Sequence, residues 1–207
     1  MAQKLIIYGA GLTGIGIAEY IRQEFSGLYT VAGFVDDKKA KHGYPVPIIG
    51  KPSDLKELRD SKGINQLVLG FMYPTDVRLQ MGLELLADGF EFPTLVDQEI
   101  QDKFEVSLGR GVIVYNKAEV NPSVKMGDFV AVNAYSVIES SEIGDGVVIT
   151  PQVFVGAGSK IGRGTIIQPG ARIMYGANVG EFCNIGPNCV VGMNETVRYK
   201  TTIQNLP

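Results

Sequence analysis

Two hydrophobic rhythms follow one another along this chain. In the first, Leu5 to Tyr8 is a continuous apolar run, Gly9-Ala10-Gly11-Leu12-Thr13-Gly14 comes next, and Ile17, Ala18 and Ile21 recur at helical spacing. That order predicts a strand, a glycine turn and a helix. Thr30 to Val35 predicts a second strand, which stops at Asp36 and Asp37, and Gln66 to Gly70 predicts a third. Helices are expected from Ser53 to Ser61 and from Thr75 to Leu86. Strands that alternate with helices imply a parallel sheet. The alternation closes near Phe92 to Val96, so residues 1–100 are expected to form a Rossmann-like half-domain.

In the second rhythm an aliphatic residue returns every six positions from Leu108 through Val114 and Val120 to Ile138, and again from Ile143 through Ile149 to Val191. Only the step from Ile138 to Ile143 is five residues. Four positions after these aliphatics stand small or β-branched side chains, among them Val112, Ala118, Ser136, Ser159, Thr165 and Ala171. Two positions per repeat therefore point inward. A helix would repeat near 3.6 residues and a half-buried strand near two. A period of about six predicts a parallel β-helix, and about fifteen repeats, three to a coil, give about five coils. Glu195 falls on the inward small position of the next repeat, where an unpaired carboxylate is expensive to bury. The regular coil is thus expected to end near Met193, within a second domain spanning residues 101–207.

Composition agrees with this picture. Twenty-six glycines and no tryptophan fit a backbone that turns tightly and often. A net charge of −3 offers no broad cationic surface for nucleic acid. The chain passes at once into an apolar run too brief for a signal peptide or a membrane span, so a cytoplasmic protein with no membrane partner is expected. Cys183 and Cys189 both fall on inward small positions and read as buried packing. With one histidine in the chain, no cluster has metal-site spacing, and neither a metal nor a disulfide is expected.

Candidate chemistry begins at the glycine turn. Backbone N–H groups converge at a helix N-terminus and its dipole favours an anion, so Gly9, Gly11 and Gly14 are candidate phosphate-binding positions. Asp36 and Asp37 follow at a distance from which an acid reaches a ribose hydroxyl or a base edge. The same spacing suits a dinucleotide, but a hydride-transfer enzyme needs more sheet than precedes the β-helix. His42, in the loop after the second strand, and the basic run Lys38 to Lys41 read as surface beside that site. Lys160, Arg163 and Arg172 take outward positions, where cations pair with phosphates.

The order of these parts resembles the sugar O- and N-acyltransferase family typified by sialic acid O-acetyltransferase and the bacillosamine-pathway N-acetyltransferase. The matching segments are Ile6-Ile7-Tyr8-Gly9-Ala10-Gly11, Gly33-Phe34-Val35-Asp36-Asp37, Val46-Pro47-Ile48-Ile49-Gly50, Pro93-Thr94-Leu95-Val96, and Val120-Asn121-Pro122 leading to Ser136-Val137-Ile138-Glu139. The resemblance covers nearly the whole chain. It implies a left-handed β-helix and a homotrimer in surface-glycan biosynthesis. A nucleotide-linked aminosugar would be held by the N-terminal domain, and acetyl-CoA would lie in a groove between helices of adjacent subunits.

Departures from the family pattern cluster around the expected base. Family members carry a histidine directly after the Ile-Glu pair, and here that residue is Ser140. The five-residue step falls in the same segment. The family's Gly-Gly-His-Gly turn is Gly11-Leu12-Thr13-Gly14, its histidine after the Thr-Leu-Val stretch is Asp97, and its terminal Pro-Ala-Lys has no counterpart in Tyr199 to Pro207. Glu139 and Glu142 are the nearest ionisable residues, while Ser140, without a partner base, reads as a polar loop residue. An amine of modest basicity is partly neutral at pH 7, so loss of the base favours N- over O-acetylation. The expectation is acetyl transfer to the amino group of a nucleotide-linked sugar; the alternative is a catalytically degenerate sugar-nucleotide-binding or assembly module of the same fold.

Overall fold

The first apolar run forms β1 (Gln3–Tyr8), whose Leu5, Ile6 and Ile7 are fully buried. The computed structural model describes residues 2–38 and 43–204; His42 and the basic run beyond Lys38 lie outside the described residues. Two compact units are formed, Met1–Tyr73 with Gln80–Pro93, and Pro74–Leu79 with Thr94–Pro207.

In the first unit α1 (Leu12–Glu24), β2 (Tyr29–Val35), β3 (Ile48–Gly50), α2 (Leu55–Lys62) and β4 (Gln66–Leu69) follow β1. The sheet has the order β3-β2-β1-β4 and every pairing is parallel. Both faces of β1 are covered, which is why its sequence is apolar without alternation. β3 is a strand that the hydrophobic pattern did not predict: three residues long and half-buried throughout, it is too short to show a period. α3 (Thr75–Ala87) closes the expected helices.

The second unit contains seventeen two-residue strands among the described residues, from Ser107–Leu108 to Thr202–Ile203. They form three parallel sheets of five, six and six strands. In most repeats the second residue of the strand and the residue two positions before it are buried, and they line one continuous core that reaches from Val112 to Val197. At the start of the coil the short helix α4 (Gln98–Gln101) lays Ile100 against that core.

Each corner between strands carries one residue with positive φ, from Glu105, Gly111 and Lys117 to Asn188, Asn194 and Lys200. Glycine adopts the left-handed conformation at least cost, yet only Gly111, Gly146, Gly158, Gly164, Gly170 and Gly176 use it here, and the other corners place a side-chain residue there. The corner between Ile138 and Ile143 is the exception: no residue between Tyr135 and Gly146, both themselves left-handed, has positive φ. The residue missing from the five-residue step is therefore the left-handed one. The register absorbs the loss, because Glu142 pairs with Lys125, seventeen residues before it, and with Lys160, eighteen after.

The coil does not end at Met193. Strands Thr196–Val197 and Thr202–Ile203 continue it in register, with Val197 4% exposed. Glu195 does not point inward as expected. Its side chain is exposed and turns back to accept the Gly192 amide at 2.6 Å, so the carboxylate stays in water and caps its own turn.

Candidate active site

Chain topology sets the position of the first cleft. β2 lies on one side of β1 and β4 on the other, so a crevice opens beyond the carboxyl ends of β1 and β4. Gly9 turns there with φ of 105°, and the Gly70 amide donates to the Tyr8 carbonyl at 2.7 Å. A Cβ on Gly70 would lie 2.6 Å from the Gly9 carbonyl oxygen. Gly11 is the N-cap of α1, and no side chain caps that helix. Its first-turn N–H groups are thus left without a side-chain acceptor, the arrangement that suits an anion. Gly14 is buried below the turn, where a Cβ would come 2.1 Å from the Gly9 carbonyl oxygen. It brings helix and turn together rather than lining the cleft.

The cleft has a volume of about 450 Å³, and Tyr8, Gly9, Gly11, Thr13, Asp36 and Asp37 are among its walls. The Asp36 carboxylate accepts two backbone amides, Oδ2 from Ala10 and Oδ1 from Lys38, each at 2.8 Å. Asp37 beside it is exposed. Burial, then the charges of Asp37 and Asp36, pushes the Tyr8 phenol up, so Tyr8 is a neutral hydroxyl at pH 7. Gly70, Tyr8 and Phe71 are cleft residues that the glycine motif alone did not single out. Their signal was the end of each apolar strand run.

The β-helix unit holds the other candidates. Glu139 is half-buried, and its Oε2 accepts the Ala157 amide at 3.0 Å. Ser140 is exposed, and its carbonyl accepts the Gly158 amide at 2.7 Å. Glu142 is exposed and stands 3.4 Å from Lys160, a solvated pair worth at most about 1 kcal/mol. With Lys125, Lys160 and Asn178 it lines an open groove of about 570 Å³. Glu139 follows a strand of one sheet while Glu142 opens a strand of another. The two carboxylates are therefore separated by a corner of the coil.

That corner also leaves a buried hydroxyl unpaired. In regular coils an inward hydroxyl donates to a carbonyl one coil on: Ser136 to Thr150 at 2.9 Å, Ser159 to Met174 at 3.0 Å and Thr165 to Gly180 at 2.8 Å. Ser141 occupies the same inward position and is 4% exposed, yet its Oγ has no partner. It lies in the shortened corner, where the regular pattern of repeats is interrupted.

The remaining candidates have ordinary surroundings. Arg163 pairs with Glu181 at 3.1 Å and lies over the Phe182 ring, while Lys160 and Arg172 are exposed. Cys183 and Cys189 are buried in the coil core as expected. Asp97 caps α4, accepting the Glu99 amide at 2.8 Å. Among the described residues no group of His, Cys, Asp and Glu is placed to hold a metal ion, and no helix is long and apolar enough to cross a membrane.

Residues 4–67 match the PglD N-terminal domain, and residues 140–174 and 158–192 match the bacterial transferase hexapeptide of six repeats. A comparison with curated protein sequences gives no match. Among solved structures, the acetyltransferase domain of PglB from Neisseria gonorrhoeae FA1090, in complex with acetyl coenzyme A, is 24% identical. The match covers 98% of this chain and 96% of that one, with a TM-score of 0.84. A histidine-to-asparagine mutant of perosamine N-acetyltransferase from Caulobacter crescentus, in complex with CoA and GDP-perosamine, is 23% identical over 95% of this chain and 91% of that one, with a TM-score of 0.81. WeeI from Acinetobacter baumannii AYE is 20% identical over 92% and 95%, with a TM-score of 0.56. These likenesses establish the fold, a Rossmann-like parallel-sheet unit followed by a left-handed parallel β-helix of hexapeptide repeats, and they agree with the resemblance carried by the motifs.

Proposed function

We propose that this chain, a PglD-type N-terminal domain followed by a hexapeptide β-helix, is a sugar-nucleotide acetyltransferase that moves an acetyl group from acetyl-CoA to an amino group of a nucleotide-linked sugar. The observation that carries the proposal is an uncapped helix N-terminus opening on a cleft in the same chain as a hexapeptide coil. Support comes from proteins of this fold solved with acetyl-CoA, or with CoA and GDP-perosamine. Residues 1–100 form the sugar-nucleotide domain in this reading, with Gly9 and Gly11 at the phosphates, Gly14 shaping the turn, and Asp37 at the nucleoside. Residues 101–207 take the acyl donor. The protein acts in the cytoplasm in surface-glycan biosynthesis as a homotrimer, with acetyl-CoA between helices of adjacent subunits and no metal.

In the reaction the sugar amine attacks the thioester carbonyl, the C–N bond forms, the C–S bond breaks, and CoA leaves with its sulfur reprotonated. A proton must leave the amine. Among Glu139, Ser140 and Glu142, the carboxylate of Glu139 is the base in this reading, because the Ala157 amide fixes one oxygen and leaves Oε1 to accept. Glu142 is solvent-exposed beside Lys160 with no amide fixing its carboxylate, and Ser140 lacks a partner base. A positioned base contributes about 10²- to 10⁴-fold, and the neutral fraction of a weakly basic amine supplies the rest.

A second reading has a specific observation behind it. The corner between Ile138 and Ile143 has no left-handed residue, and by the motif resemblance Ser140 takes the position of the family's histidine, which fits a module that keeps its fold and a sugar-nucleotide site but not catalysis. Titration with acetyl-CoA separates the two, since a working transferase binds it with micromolar affinity and a binding module does not.

A further inference from the structure

We infer that Asp36 is a positioning residue, which sets the phosphate-binding turn through the Ala10 amide and leaves contact with the nucleoside to Asp37. The inference rests on reading the first cleft as a nucleotide-sugar site. An acid at the end of the second strand is ordinarily free to reach a ribose hydroxyl. Here both Asp36 oxygens are already engaged, Oδ2 with the Ala10 amide and Oδ1 with the Lys38 amide, each at 2.8 Å. Ala10 sits between the two glycines of the turn and is 7% exposed. Each oxygen keeps a second lone pair, but a ligand that drew Oδ2 away from Ala10 would break a charge-assisted bond to a buried amide, among the stronger hydrogen bonds a protein makes.

The surrounding bonds show what the carboxylate ties together. Gly9 donates to the Val35 carbonyl at 2.8 Å, and the Asp36 amide donates to the Gly50 carbonyl at 3.2 Å. Asp36 thus joins the ends of β1, β2 and β3 at one point. The direction of the Gly9 to Gly11 segment, and with it the start of α1, depends on that point. Asp37 faces the same cleft, makes no such bond among the described residues and is exposed, so it is the acid available to a ligand.

The test uses the full chain with Asp36→Asn, Asp36→Ala and Asp37→Asn, with UDP and GDP as calorimetric probes and amide hydrogen exchange read at Ala10. Both Asp36 variants are expected to weaken nucleotide binding by at least about tenfold and to speed exchange at Ala10. They should raise KM for the sugar nucleotide while leaving kcat and acetyl-CoA affinity within about twofold. Asp37→Asn is expected to weaken binding with Ala10 exchange unchanged. Faster exchange at Ala10 with nucleotide affinity intact would overturn the inference, as would lost affinity with Ala10 still protected, the mark of a direct ligand. Should the wild-type protein bind neither UDP nor GDP, the nucleotide reading of the cleft falls first, and this inference with it.

Discussion

The guanidinium of Arg78 donates to the carbonyl oxygen of Phe129, and both residues are fully buried within the second unit. Charged side chains are almost never buried to this extent unless they are paired. Replacing Arg78 with alanine removes a donor from a buried carbonyl and leaves a cavity, so a loss of about 2–4 kcal/mol is expected. Chemical denaturation of the variant against the wild type measures it. A change below about 0.5 kcal/mol would show that the bond does not hold the helix segment Pro74–Leu79 to the coil.

The same pair of elements gives a pH dependence. Burial pushes the Tyr115 phenol up to about 12, with the nearby Arg78 charge opposing, and holds Arg78 down to about 10. Because the folded-state value of Tyr115 lies above its ordinary value, its contribution to stability is full below about pH 10 and is lost as pH rises through 12. Arg78 has the opposite sign: its burial cost is full below about pH 10 and is relieved above it. In Tyr115→Phe the loss should vanish while the relief remains. The stability of the wild type relative to this variant should therefore fall between about pH 10 and 12, as read by denaturation at each pH. A constant difference would contradict the assignment.

The unpaired Ser141 hydroxyl predicts an unusual sign. A buried hydroxyl without a partner costs about 1–3 kcal/mol, and alanine already fills the same inward position at Ala171 and Ala177. Ser141→Ala should raise stability by about 1 kcal/mol, or roughly 2–4 °C in Tm. Ser159→Ala, which removes a hydroxyl bonded to Met174 at 3.0 Å, should lower it by a similar amount. Thermal melts that moved both variants in one direction would remove the link between the short corner and Ser141.

The glycines of the turn also separate. A Cβ at position 14 would meet the Gly9 carbonyl oxygen at 2.1 Å, whereas one at position 11 meets nothing within 4 Å. Gly14→Ala should therefore destabilise the first unit by about 2 kcal/mol or more, through the backbone shift it forces. Gly11→Ala should melt close to the wild type. Equal melting temperatures would mean that α1 can slide away from the turn at little cost.

What the sequence discloses depends on repetition. The hexads made the coil legible because each inward position is tested again one coil later, and the five-residue step located the irregular corner. What the step removed is a matter of backbone conformation. Ser123, Tyr135 and Asn188 adopt positive φ without being glycine, so residue type alone does not mark the corner position. Glu195 misled because its inward register was legible while the freedom of a long side chain in the last turns was not. Asp36 and Asp37 are adjacent acids with the same apparent role, and only hydrogen bonds to Ala10 and Lys38 tell them apart.

The central claim, catalysis of N-acetyl transfer, is tested most directly by incubating wild type and Glu139→Gln with acetyl-CoA and a panel of UDP- and GDP-linked aminosugars and reading the acetylated product by mass spectrometry. The account predicts one aminosugar turned over by the wild type and a fall of about 10² or more in kcat for Glu139→Gln, with micromolar acetyl-CoA binding retained in both. Sugar-nucleotide binding with neither product nor acetyl-CoA affinity in the wild type would contradict it and leave a binding module.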